Sequence, residues 1–202
     1  MSARQIAEHE AAHIVVGFHF GGECLFAHTG STLGDCVSPA ENDGANVMVL
    51  PLDRKGAYAV AGTTWVKTAG IGPTDAELLL DWLHSEIGSY PNRSPVVRDR
   101  MIQKAKSEAS LILFANSAAV VAVADVIERE TSVWNGDRLR RVAARHMTMP
   151  PSVMPLANYI WKSAVRGNRI AEVAVDLMGL AAYLEPVRKE MGIVPRKSRA
   201  AL

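Results

Sequence analysis

Only between residues 23 and 52 does this chain read as strand and turn; elsewhere its apolar residues recur at helical spacing. The stretch breaks into the short apolar pieces CLFAH, CVSP and NVMVLPL, parted by turn-forming residues, which predicts a few short strands. Before it, Ile6, Ala7, Ala11, Ile14, Val15 and Phe18 fall near a 3.6-residue period, so residues 3–20 form a helix that Gly21-Gly22 ends. After it the pattern predicts helices over 55–68, 74–88, 96–115, 118–129, a short one within 135–147, and then 156–166 and 168–191. Thr74 with Glu77 three residues on has the form of a capping box. The expected fold is therefore mainly α with a small β-sheet, an α+β arrangement. The proline-rich run MPPSVMP at 149–155 places a boundary between a domain of residues 1–149 and a C-terminal helical extension, 150–202. The extension reads as a cap, a partner-protein dock or a homo-oligomer contact.

Charge and cysteine content narrow the class further. A formal net charge of +1 gives no reason to expect a nucleic-acid or membrane-surface partner. The opening residues include Arg4, Glu8, His9, Glu10 and His13, unlike the apolar core of a signal peptide, and no run reaches the roughly 18 apolar residues of a membrane span. Cys24 and Cys36 are too few for a disulfide framework and fit free thiols of a cytoplasmic protein.

The first helix carries the chemistry. His9 and His13 are separated by four residues, so their imidazoles stack on one helix face and can share one metal ion. Glu10 sits beside the first of them, where a carboxylate can take a proton from a water at that metal. This is the His-Glu-x-x-His pattern of zinc peptidases, in which zinc acidifies water, polarises the scissile carbonyl and stabilises the developing oxyanion. Chance alone yields the pattern on the order of once per hundred chains of this length, so its placement on a helix flanked by small apolar residues matters.

A catalytic zinc site needs a third protein ligand and an open fourth position. His19 lies six residues past His13, the spacing of a sharply bent ligand helix, but the glycine such a bend requires is replaced by Val16, with Gly17 one place late. Asp75 follows the glycine-rich loop TAGIGPT and can be aimed from a helix start, though acidic residues also favour first turns for their dipole. Glu77 is the third candidate. Local physics leaves Asp75 and Glu77 undecided.

Four stretches resemble, in order, the peptidase domain of the FtsH-type ATP-dependent zinc proteases: IAEHEAAHIVVG, YAVAGTTWV, GIGPTDAELLLDW and LILFANSAAVVAVADVIERETSVWNGDRLRRVA. They span about residues 4–146. The resemblance implies a zinc-peptidase helical domain with His9, His13 and Asp75 as zinc ligands and Glu10 as general base. It implies a zinc-dependent endopeptidase, a metal-dependent hydrolase acting on polypeptide.

The chain departs from that family in three ways. Ala12 replaces a glycine within the motif, AGTTWVK replaces a run that carries an acidic residue, and only eight residues precede the motif, too few for an ATPase module. The expectation is then an ATP-independent peptidase that cuts flexible or unfolded polypeptides. The rival expectation is an inactive zinc-binding pseudo-peptidase serving as a protein-interaction module.

Overall fold

The computed structural model describes residues 1–29, 44–49, 55–67, 73–87, 95–133, 135–147, 156–177, 181 and 184–193. Cys36, the 68–72 loop, Trp134, the 149–155 run and the basic tail lie outside the described residues. The protein is mostly helical. It divides into two compact units, one of Met1–Ser31 with Ala40–Val153, the other of Thr32–Pro39 with Met154–Leu202.

At the centre of the first unit is α1 (Ala3–His19). Ser2 caps it: the Ser2 hydroxyl accepts from the Gln5 amide, and the Gln5 side chain accepts from the Ser2 amide at 2.9 Å, which satisfies two of the free donors at the helix start. Every residue from His9 to Phe18 is buried, so the helix is covered nearly all round, and a helix in that position has few polar side chains to spare. Ala7, Ala11 and Ala12, each fully buried, allow neighbouring backbones to come close.

The sheet is antiparallel with the order β2-β1-β3, built from β1 (Glu23–Thr29), β2 (Gly44–Val49) and the short β3 (Ser132–Val133). Glu23 pairs with Val49 and Thr29 with Gly44, with a bulge between Cys24 and Phe26; Ala27 pairs with Val133. As the middle strand, β1 buries Cys24, Leu25, Phe26 and Ala27 completely. Such burial on both faces explains why this strand lacks in–out alternation.

Two short helices, α2 (Lys55–Ala59) and α3 (Ala61–Val66), stand where the pattern predicts a single helix over 55–68. Near the break at Val60, the Tyr58 carbonyl accepts a hydrogen bond from His13 Nδ1 at 2.7 Å. Next comes α4 (Pro73–Ile87), which packs on α2 and buries Leu79, Trp82 and Leu83. It begins at Pro73, a residue suited to a first helical position, so Thr74 lies inside the helix rather than at its cap. The Thr74 side chain lies outside the described residues.

The long α5 (Pro95–Ala115) and α6 (Ser117–Glu130) meet at 83°. At the elbow the buried Asn116 side chain donates to the Ile112 carbonyl at 2.8 Å, competing with helix continuation. Ala105, Ala109, Ile112 and Leu113 from α5, with Ala119, Val120, Val123, Ala124 and Ile127 from α6, face the core. Among the described residues no single helix is long and apolar enough to cross a membrane. The unit's last helix, α7 (Gly136–Ala143), packs on β1 and α6.

In the second unit, α8 (Leu156–Val165) stands where the first helix is expected, and α9 (Arg169–Leu177) and α10 (Leu184–Glu190) replace the single helix expected over 168–191. A continuous helix over 168–191 would put Pro186 in its interior and lose a hydrogen bond; in the structure Pro186 falls in the first turn of α10, where proline is tolerated. Asn168 caps α9 through the Ala171 amide. The buried Arg188 guanidinium donates to the Ala164 and Val165 carbonyls and pairs with Glu172 and Glu185.

Candidate metal centre

Helical spacing and one long-range contact build the site. His9 and His13 project from the same face of α1, with Nε2 atoms 3.1 Å apart. Asp75, in the first turn of α4, brings its Oδ2 to 3.3 Å from His9 Nε2 and 3.2 Å from His13 Nε2. These three side chains form a group able to hold a metal ion. His19 lies elsewhere, half-buried beside the Phe20 ring, and Glu77 is exposed on α4. Of the three candidates for a third ligand, Asp75 alone joins the two histidines.

The spacing suits a tetrahedral ion. Zinc binds imidazole nitrogen and carboxylate oxygen at about 2.0–2.2 Å, which puts tetrahedral donors roughly 3.3 Å apart. The three observed separations match that edge. A second observation concerns space. A Cβ placed on Gly62, in α3, would lie 2.5 Å from His9 Nε2 and 2.6 Å from His13 Nε2. The room at the nitrogens therefore exists only because residue 62 has no side chain.

His13 is oriented from behind, since its Nδ1 donates to the Tyr58 carbonyl at 2.7 Å. That bond fixes the proton on Nδ1 in the neutral ring and turns the Nε2 lone pair towards the group. His9 Nδ1 is buried without a hydrogen-bond partner among the described residues. The two histidines are thus held unequally.

Charge at the site is balanced among the same three groups. Burial opposes an imidazolium at His13, but the Asp75 carboxylate, the Glu10 charge and the Tyr58 carbonyl together outweigh it and raise the His13 pKa to about 9. Burial likewise opposes the Asp75 carboxylate, and the charges and hydrogen bonds of His13 and His9 together outweigh that, holding Asp75 well below the usual carboxylate range. Protons and metal therefore compete for the same lone pairs.

Glu10 is 6% exposed, and its charge also favours protonation of His13. The buried Cys24 thiol is pushed up by burial and then by the Glu10 charge. Neither this neighbour, the Tyr58 carbonyl nor the clearance at Gly62 follows from motif spacing. The one local hint is a glycine inside the helical run AVAGTTWV, which often marks close backbone approach.

Elsewhere, a hollow of about 520 Å³ is lined by Ser117, Ala118, Val121, Ala122, Asp125 and His146. Its serine, aspartate and histidine do not form a catalytic chain: Asp125 pairs with Arg4 at 2.5 Å, and no hydrogen bond joins the three among the described residues.

No protein-family model, curated protein or solved structure matches this chain.

Proposed function

We propose that the protein is a zinc-dependent endopeptidase acting on flexible or unfolded polypeptide, with His9, His13 and Asp75 as zinc ligands and Glu10 as general base. The observation that carries the reading is the near-equilateral triangle of donor atoms, 3.1 to 3.3 Å on a side, with a buried carboxylate next in sequence to one donor. The likeness of IAEHEAAHIVVG and GIGPTDAELLLDW to the FtsH-type peptidase domain supports the same assignment of roles.

Zinc bound there supplies Lewis acidity, which acidifies water and polarises a carbonyl. The chain's own groups do the rest. His13, oriented by the Tyr58 carbonyl, offers its Nε2 in one tautomer. Asp75 contributes the negative charge that offsets the cation. Glu10 accepts the proton from the attacking water and delivers it to the departing amine, so the atoms of one water end on the two new chain termini.

The rival reading, a metal-holding domain without turnover, has one observation in its favour: His9, Glu10 and His13 are no more than 6% exposed. Glu10→Gln separates the two. As a peptidase, the variant keeps its zinc and loses hydrolysis of a denatured protein substrate by roughly 100-fold or more. A wild type that carries zinc yet leaves such a substrate intact identifies the pseudo-peptidase.

A further inference from the structure

We infer that Gly62 is a positioning residue of the metal centre: its missing side chain keeps the seat at the two imidazole nitrogens open. The inference rests on the metal reading above and adds a determinant outside the histidine motif and its carboxylate.

The argument is steric. A Cβ at residue 62 falls 2.5 Å from both Nε2 and Cε1 of His9 and 2.6 Å from Nε2 of His13. Contacts that short are essentially never made by real Cβ atoms, and the atoms met are the donor atoms themselves. Neither imidazole can retreat freely. His13 is tied at its other nitrogen to the Tyr58 carbonyl, and both rings are buried under α3 on a helix that is covered nearly all round. A methyl group there must displace the nitrogens from their 3.1 Å separation or take the space an ion would fill. Thr63 and Ala61 are buried beside Gly62, so α3 is itself confined.

Gly56 provides a matched control. A Cβ at that position would meet the Trp82 ring at 2.5 Å, as close an approach in the same core, but its three nearest atoms all belong to Trp82 and none to a candidate ligand. The two glycines therefore separate loss of packing from loss of the metal seat.

The experiment compares wild type, Gly62→Ala and Gly56→Ala, each supplied with zinc and, separately, cobalt(II). Zinc per chain is measured by elemental analysis and the ligand field by the visible cobalt spectrum. Gly62→Ala is expected to bind roughly 100-fold more weakly, or to show an altered cobalt spectrum, while Gly56→Ala keeps the wild-type spectrum despite a lower melting temperature. Wild-type zinc content and spectrum in Gly62→Ala would overturn the inference and leave the metal reading standing. No metal in the wild type would overturn the metal reading and this inference with it.

Should Gly62→Ala fail to fold, the substitution is repeated in a His9→Ala, His13→Ala background, where the methyl enters space both imidazoles have vacated. Recovery of folding supports the contact. A chain that stays unfolded only when residue 62 is Ala, with the His9→Ala, His13→Ala double variant itself folded, overturns it.

Discussion

Replacing Asp75 by Asn in the metal-free protein removes one charge and almost no volume, so its cost should depend on pH in a way the site dictates. His13 Nε2 lies 3.2 Å from Asp75 Oδ2, with the two side chains 2% and 13% exposed. Against its burial, His13 is raised from 6.5 to about 9 by the Asp75 carboxylate first, with the Glu10 charge and the Tyr58 carbonyl adding to it. A histidine whose pKa is higher in the folded state stabilises fully below its unfolded value of 6.5, and that contribution disappears as pH rises through about 9. The shift corresponds to roughly 3 kcal/mol, the lower end of the range for breaking a buried pair by removing one partner. Asp75 is held below the usual carboxylate range, so in the wild type it stays charged throughout this window. In chelator, the thermal melt of Asp75→Asn followed by circular dichroism should fall about 6–12 °C below wild type at pH 6. Above about pH 9.5 most of that gap should close. An equal deficit at both pH values would refute the electrostatic argument, and no deficit at pH 6 would show that the pair does not form.

Phe18 is 1% exposed, and its truncation to Ala should cost about 3–5 kcal/mol, read as a melting temperature lower by roughly 6–20 °C; a change under about 2 °C would contradict the packing of α1. In a Cys36→Ser chain, the Cys24 thiol, fully buried and shifted upward by that burial, should resist a thiol reagent at pH 8 until denaturant is added. Equal labelling rates in the folded and unfolded protein would contradict the burial of Cys24. Glu10→Gln should leave zinc content at the wild-type level while hydrolysis is lost, and loss of both together would recast Glu10 as part of the metal site.

The sequence and the structure agree where the physics is local. The spacing of His9 and His13 is enough to place two imidazoles on one helix face, because helical geometry alone sets it. The strand texture of residues 23–52 likewise marks where β1 and β2 occur. The third member of the group is different in kind. Asp75 is 66 residues from His9, and nothing near it in sequence separates it from Glu77 until α4 is seen to start at Pro73 and aim its first turn at α1. The break at Val60 has no proline to announce it in Lys55–Val66, and the bond from His13 to the Tyr58 carbonyl beside it joins residues 45 apart. By contrast, the start of α10 carries a plain local signal in Pro186, which a purely periodic pattern over 168–191 passes over. The Ser2–Gln5 capping box is equally local and readable from residue type and spacing.

The most direct test of the central claim is the zinc content of purified wild type beside Asp75→Ala and Glu77→Ala. The account predicts about one zinc per chain in the wild type and in Glu77→Ala, and little in Asp75→Ala, as three protein ligands of a catalytic zinc require. Full zinc in Asp75→Ala, or none in the wild type after zinc is supplied, would contradict it.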